Sequence, residues 1–434
     1  MAQTDSASGL SQTVAQDRPT NFRWVICGLL FYATTVNYVD RSVLNVLGSR
    51  LRDAFRWNAV QFGHVNMAFF AAYTVGLFSM GWLIDRWGTK IVYSVAMSVW
   101  TLAAVSTSLT RTIFQFALCR FFLGLGESGN FPAAIKTVAE WFPQRQRATA
   151  TGIFNSGSNV GALLAPWLVP IVVAHYGSWR AAFFITPPLA IFWIILWSIL
   201  YRHPEQHPLV NRAELNFIDS DGVQSKSKVP WTEILRHRQA WAIMAGKFLT
   251  DPVWWFYNTW MGLFLKDVFG VDLKHVGPPL ILIYLMADLG SIGGGWFSSS
   301  LLKKGWSANA ARKTAMFTCA MAVLPVCLAP KVGHEWIAVG LIGLATAAHQ
   351  GFSANIFTLA SDMFPKRAVG SVTGLAACCG GIGGIIIQEI AGTTTQATGS
   401  YVIIFCIAGT VYLLAVVLLH ILAPRLTPVQ LSVD

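Results

Sequence analysis

Charged residues are scarce in this chain: Asp, Glu, Lys and Arg make up 12% of its 434 residues, where soluble domains carry about 25%. So few charges cannot cover a water-facing surface, which excludes an ordinary soluble enzyme or binding domain. The seven cysteines (Cys27, Cys119, Cys319, Cys327, Cys378, Cys379 and Cys406) form no C-x-x-C pair, and no histidine stands at metal-ligand spacing. They read as small core residues, so no disulfide framework, metal or other cofactor is expected. Paired histidines and carboxylates of the kind a membrane metalloenzyme needs are missing too, and the chain is not expected to be an enzyme. Residues 1–21 have no apolar core segment, so they read as a disordered tail and not as a cleaved signal.

Apolar sequence is what the chain has in quantity: 54% of residues, with a mean hydropathy of +0.52. The bilayer is therefore the solvent. Runs of about 20 residues, enough to cross the hydrocarbon layer, fall near 24–48, 60–84, 91–110, 113–135, 148–175, 180–201, 239–265, 276–301, 314–331, 336–360, 368–396 and 400–423. The expected fold is an all-α membrane protein of twelve transmembrane helices in two pseudo-symmetric six-helix bundles. The expected divisions are a tail over 1–21, one bundle over 22–201, a linker over 202–238, a second bundle over 239–424 and a tail over 425–434.

Twelve crossings put both ends on one side. Of the 31 Lys and Arg, 19 fall in loops and tails on that side, 8 in the opposite loops and 4 (Arg41, Arg120, Lys136 and Lys247) within crossings. Positive charge concentrates on the cytoplasmic face, so both ends are expected in the cytoplasm. This bias accounts for most of the net charge of +11, and no nucleic-acid partner is needed. A monomer in the lipid bilayer is expected.

The chain also repeats itself. Phe142-Pro143 recurs as Phe364-Pro365 and Gly152 as Gly374, both 222 residues on, and Gly81-Trp82 recurs as Gly295-Trp296, 214 on. Between Gly81 and Lys90 lies GWLIDRWGTK, a short polar gap in which Gly81, Asp85, Arg86, Gly88 and Lys90 hold fixed spacing. A basic loop alone would not need Asp85 or two glycines, so the pattern points to close backbone approach and an ion-pair latch. It resembles the signature loop of the major facilitator superfamily of transporters. In the second copy Ser299 and Ser300 replace Asp85 and Arg86, and the latch role is assigned to the first copy alone.

Ionised side chains at membrane depth cost several kcal/mol, so they persist where they pair, face water or work. The first crossing contains Tyr38-Val39-Asp40-Arg41, and the fourth runs from Arg120 through Glu127 to Pro132. Arg120 and Glu127 are two turns apart on one helix face. The lean of helical side chains toward their own N-terminus favours pairing Asp40 with Arg120 and Arg41 with Glu127.

These segments, with Glu140 to Pro143, Arg147 and Gly152 to Gly157, resemble the anion:cation symporter family, which includes vesicular glutamate and lysosomal sialic acid carriers. The resemblance implies that Asp40 and Glu127 are proton-carrying carboxylates, that Arg41 and Arg120 are their partners and the anion site, and that Asp85 meets the start of the eleventh crossing near Ala368. A static ion-pair network is the structural alternative.

The seventh crossing (Gly246 to Asn258, with Lys247, Asp251 and Pro252) and the tenth (Ala347 to Pro365) look most like hexuronate carriers. Lys247 and Asp251, at i, i+4 spacing, read as a structural pair. His349, Gln350 and Asn355 read equally as ligands for sugar hydroxyls or as glue between helices. Tyr38, Tyr73, Trp254 and Tyr257 are candidate walls for a sugar ring, and Asn155 a polar partner. Asp288 and Glu389 carry no role from the resemblance, and a cavity-facing or helix-end position is expected for each. The functional expectation is a symporter that brings in a small organic anion, a hexuronate first, with protons. Another sugar or aromatic acid, or an uncoupled anion facilitator, are the alternatives.

The topology is open to direct test. Reporter fusions at residue 220 and at the C-terminus should both report the cytoplasm; a periplasmic signal at either would overturn it.

Overall fold

The structure, a computed structural model, describes residues 18–221 and 230–430, with the side chains of Gln144, Arg145, Ala148, Asp221, Lys366 and Arg367 set aside. The expectations for residues 1–17, 222–229 and 431–434, parts of the two tails and the linker, lie outside the described residues. Helices account for almost all of the rest.

In chain order they are α1 (Arg23–Phe55), α2 (Ala59–Trp87), α3 (Thr89–Thr107), α4 (Ile113–Glu127), α5 (Asn130–Trp141), α6 (Gln144–Tyr176) and α7 (Pro187–Leu200). The short α8 (Arg212–Ile218) and α9 (Trp231–Ile234) follow, then α10 (Arg238–Phe269), α11 (Gly277–Lys303), α12 (Ala308–Val323), α13 (Glu335–Met363), α14 (Lys366–Thr398) and α15 (Val402–Leu422). Three of the twelve crossings are composite, the sixth joining a 3₁₀ turn, Trp179–Phe184, to α7. α4 and α5 form the fourth, broken at Ser128-Gly129, and α12 continues through a 3₁₀ turn, Leu324–Lys331.

Local chemistry sets the helix ends. Asn58 and Thr112 each accept a hydrogen bond from the backbone three residues on, and Gln61 and Gln115 return it, closing the first turns of α2 and α4. Gly88 joins α2 to α3 at φ +82°, a conformation that L side chains resist. The two Phe-Pro repeats become the same device: Pro143 and Pro365 stand just ahead of α6 and α14, both 33 residues long. The repeat is thus structural as well as sequential.

Nine helical stretches among the described residues are long and apolar enough to cross a membrane by composition. The three other crossings are α1, α4–α5 and α10, and they carry Asp40, Arg41, Arg120, Glu127, Lys247 and Asp251. α1 and α10 fall short through their polar and charged residues, and α4–α5 because the break at Ser128-Gly129 leaves no single helix of that length.

Polar and charged contacts between the two sets of six crossings collect at the end away from the chain termini. Arg52 meets Asp267 at 2.6 Å, Lys266 meets Asp53, and His64 meets Glu389 at 2.9 Å. Ala59 N donates to Gln396 there as well, at 3.1 Å. The two sets are braced at that end.

On the termini side, Glu214 of α8 is fully buried and accepts hydrogen bonds from the backbone of Phe22 (3.0 Å) and Arg23 (3.1 Å), from the Arg23 guanidinium (3.0 Å) and from the Thr20 hydroxyl. Burial raises its pKa, but these donors outweigh burial and hold it below its ordinary value. A carboxylate depressed in the folded state adds stability above its unfolded pKa, and that stability is lost as pH falls through the folded one. Glu214→Gln should therefore lower stability near neutral pH by about 1.5–3 kcal/mol, the range for hydrogen bonds to a charged group. Thermal unfolding of purified protein across pH should show that difference closing in acid. A constant difference would mean that the carboxylate charge is irrelevant.

Candidate functional site

Asp40 and Arg41 are neighbours on α1, so their side chains leave the helix about 100° apart and meet different partners. Arg41 turns to α4, where Nε donates to Glu127 Oε2 at 2.9 Å and Nη2 lies 2.8 Å from the same oxygen. Both side chains are almost wholly buried, at 7% and 0% exposure. Four aromatic rings surround the guanidinium: Tyr73 at 4.8 Å, Tyr38 at 4.9 Å, Phe69 at 5.2 Å and Trp255 at 5.8 Å. The first three come from α1 and α2, and Trp255 comes from α10, in the other half. A delocalised cation lies well over ring faces.

Asp40 does not pair with Arg120, contrary to the sequence expectation. Its Oδ1 accepts from the Thr186 hydroxyl, at the start of α7, and its Oδ2 is buried without a hydrogen-bond partner. Arg120 instead lies over the other reach of Phe69, 4.6 Å from the ring centre, with Nε unpartnered. Equal depth along two helices brought Asp40 and Arg120 to one level, but depth does not fix the rotation that would aim them at each other. Phe69 therefore has an arginine against it from both α1 and α4.

Hydrogen-bonding capacity collects here. Arg41 Nη1, Glu127 Oε1, Asp40 Oδ2, Arg120 Nε and both polar atoms of Asn37 are buried and unpartnered within the protein. Leaving such groups unsatisfied costs about 1–3 kcal/mol each, so the cluster is built to receive donors and acceptors from elsewhere, and a carboxylate suits the two guanidinium positions.

The expected polar loop is helical except at Gly88, and its residues behave unequally. Asp85 pairs with Lys136 of α5 at 2.8 Å, Lys90 donates to the Ser198 carbonyl of α7 at 2.7 Å, and Arg86 lies over the Trp82 ring. Gly88 is required by its backbone angle, whereas a methyl group at Gly81 would meet nothing within 4 Å. Close approach at Gly81 is therefore not realised. Ala368 is buried.

In the second half Lys247 and Asp251 form their pair at 2.7 Å, with Lys247 also 3.4 Å from Ser353 Oγ. His349 is buried, hydrogen-bonded through Nδ1 to the Tyr412 hydroxyl at 2.6 Å and stacked flat on Trp254. Asn355 bridges α13 to α11 by donating to Gly294 O at 3.2 Å, and also to Gly351 O in its own helix. Its Nδ2 is spent on helix packing, which favours glue over ligand, while its Oδ1 is buried without a partner. Tyr257 is a correction: it is 2% exposed and packed among Phe256 and Phe405, inside the core and not on a wall. Tyr38, Trp254 and Gln350 are half-buried, Tyr73 is buried beside Arg41, and Asn155 is exposed on α6. Asp288 is half-buried on α11, and Glu389 belongs to the far-end brace with His64.

Phe69, Thr186 and Trp255 were missed by sequence reasoning. Trp255 had a usable signal, since it stands four residues after Asp251 and so shares its face of α10. Thr186 had none.

The profile of the Major Facilitator Superfamily matches residues 30–388. The chain is 29% identical over 384 residues to the "Hexuronate transporter" of Escherichia coli (strain K12), covering 87% of this chain and 88% of that protein. It is 29% identical over 417 residues to the "Probable galactarate/D-glucarate transporter GudP" of the same strain, covering 91% and 92%. Among solved structures, a bacterial homolog to the human lysosomal transporter Spinster, in an inward-facing and occupied conformation, superposes with a TM-score of 0.71. That structure is 18% identical, over 93% of this chain and 96% of that chain, and shows the likeness of fold.

The approach of α4 to α2 that presents Phe69 between the arginines depends on Gly124, where a methyl group would lie 2.3 Å from the Phe69 carbonyl oxygen. Gly124→Ala should destabilise by about 1–3 kcal/mol, as overpacking does. Gly374→Ala, which meets nothing within 4 Å, should be neutral or gain up to about 1 kcal/mol of helix propensity. Thermal unfolding in detergent compares the two; equal midpoints would refute the packing argument.

Proposed function

The chain belongs to the major facilitator superfamily and is a multi-pass membrane transporter, and from that premise we propose that it is a proton-coupled symporter for sugar-acid anions, with a hexuronate as its substrate. In this reading it sits in a bacterial inner membrane as a monomer with both ends cytoplasmic, as the distribution of lysine and arginine supports. Residues 22–201 and 239–424 form the two bundles, joined by 202–238, and move against each other about the site. The single observation that carries the proposal is the buried Arg41–Glu127 pair inside a ring of aromatic side chains drawn from both halves.

The chemistry follows from competition for Arg41. A substrate carboxylate entering the box accepts hydrogen bonds from the guanidinium, and Glu127 loses its counter-charge in a desolvated place. A carboxylate so placed takes up a proton, so anion and proton each favour the binding of the other. Asp40, held at one oxygen by Thr186 and unpartnered at the other, is the second proton position. Arg120 adds positive field from beneath Phe69. Tyr38, Tyr73 and Trp254 offer faces to the pyranose, and Asn155, Gln350 and His349 offer polar contacts to its hydroxyls. The far-end brace must open for the site to reach the other side. Asp85, paired with Lys136, forms with the start of α14 the latch of the termini side.

An aldarate is the second reading, favoured by the equal identity to the galactarate/D-glucarate relative. Radiolabelled glucuronate uptake into proteoliposomes under an imposed proton gradient decides, with galactonate, glucarate and glucose as competitors. Glucuronate should accumulate and glucose should compete poorly, because losing the carboxylate leaves the buried arginine without its anion. Glu127→Gln and Asp40→Asn should abolish accumulation, since an amide cannot carry the proton, and Arg41→Lys should fail because a point charge does not reproduce the planar fork. Accumulation that survives in both carboxylate variants would place the proton sites elsewhere; inhibition by an aldonate and by no hexuronate would change the substrate.

A further inference from the structure

The mechanism above leaves the ion pair buried on α10 without work. Lys247 and Asp251 face each other across one turn of α10 at 2.7 Å, with side-chain exposures of 6% and 13%. A pair holding only two helix turns together would gain a few tenths of a kcal/mol at a wet surface, whereas here both charges have been taken out of water at a larger cost. The surroundings are also arranged. The Lys247 ammonium lies 4.3 Å from the centre of the Phe357 ring, which is 45% exposed, and 3.4 Å from Ser353 Oγ. α14 passes Asp251 at Gly380, where a methyl group would lie 2.2 Å from Oδ2. Backbone is thus brought against the carboxylate.

Position ties this pair to the arginine site. Trp255 closes the Arg41 box at 5.8 Å and stands four residues beyond Asp251, which is one turn, or about 6 Å, along α10. The i, i+4 relation keeps Asp251 and Trp255 on one face. A ligand whose carboxylate meets Arg41 thus extends past Trp255 toward Lys247 and Asp251. The pair and the arginine site are laid out like two ends of a short chain molecule.

We propose that Lys247 and Asp251 form the receptor for the far end of the sugar acid, and that Asp251 accepts a proton when that end is a second carboxylate. This rests on the symport reading and deepens it. With a hexuronate, whose far end carries neutral oxygens, the intact pair supplies a donor and an acceptor. With an aldarate the second carboxylate takes Asp251's place on Lys247, and Asp251 is protonated from solvent that enters with the ligand. The charges then balance: each substrate carboxylate replaces one protein carboxylate on its cation, and each displaced protein carboxylate takes one proton. The other titratable groups facing the pair are His349 of α13, within electrostatic reach of Lys247, and Tyr412 of α15, within reach of Asp251. α14 presents Gly380, and α2 faces the adjoining Gly381 with Thr74. None of these supplies a competing negative charge at neutral pH.

Titration calorimetry of the full-length protein in detergent, with glucuronate and glucarate in two buffers of different ionisation heat, counts the protons taken up with each ligand. Glucarate should take up one proton more than glucuronate. In Asp251→Asn that extra proton should disappear, and the affinity ratio of glucarate to glucuronate at pH 8 should rise at least tenfold, because Lys247 is no longer neutralised. The neutral pair Lys247→Met with Asp251→Asn, which avoids an uncompensated buried lysine, should reverse that gain and bind both ligands with equal proton uptake. Equal proton uptake in the unsubstituted protein, or an affinity ratio unchanged in both variants while glucuronate still binds, would overturn the second receptor and leave the symport reading intact. Absence of binding by any sugar acid to the unsubstituted protein would remove the symport reading, and this inference with it.

Discussion

The Arg41–Glu127 pair is the interaction on which the first half of the molecule is organised. Neither charge could stay ionised alone in the bilayer interior, because the desolvation cost is several kcal/mol per ion and no water is at hand to offset it. Bringing α1 and α4 together with α2 between their side chains therefore becomes obligatory. Gly124 allows α4 to come within contact of the Phe69 carbonyl, and Phe69 in turn lies against both Arg41 and Arg120. Replacing the pair by apolar residues would pack as well, so stability alone does not account for it.

A second consequence concerns the two ends of the molecule. The far-end brace uses pairs with much of their side chains exposed: His64 and Glu389 keep 52% and 43% of theirs. Exposed pairs contribute about 0–1 kcal/mol each, which is the right scale for a contact that, under the proposed mechanism, is broken and remade in every cycle. The buried pairs at Arg41 and Lys247 belong to another class. They can change partner only when something equally charged arrives, so the energetic events of binding are confined to the middle of the membrane while the ends follow.

Much of this was legible in the sequence. Twelve apolar runs, the Phe-Pro repeat and the loop from Gly81 to Lys90 suffice for the fold, because the bilayer admits so few solutions for a backbone that must satisfy its own hydrogen bonds. The charged residues of the site were legible for the same reason, as Arg41 and Glu127 stand out against apolar neighbours. Rotation was not legible. Asp40 turned to Thr186 and left Arg120 over Phe69, Tyr257 turned into the core, and Trp255 met Arg41 although Trp254 was the ring singled out. Each error is a matter of about 100° around a helix axis, the angle between successive residues. Periodicity gives relative phase within one helix, but the packing of three or four helices together sets the absolute phase.

The same logic explains why coupling would be tight under the proposed mechanism. Empty, the site is neutral, since Arg41 cancels Glu127 and Arg120 offsets an ionised Asp40, and the halves can rock without carrying net charge through a low dielectric. An anion bound without a proton leaves Glu127 negative beside it, and two such charges a few ångströms apart repel strongly where screening is poor. A proton bound without an anion leaves Arg41 as a lone buried cation. Both half-loaded forms cost several kcal/mol relative to the empty and fully loaded ones, and by population arithmetic each 1.4 kcal/mol removes a factor of ten from the fraction able to cross. Coupling then requires no separate gate for the proton, because the burial that makes the ion pair expensive also rejects every stoichiometry that leaves a charge behind.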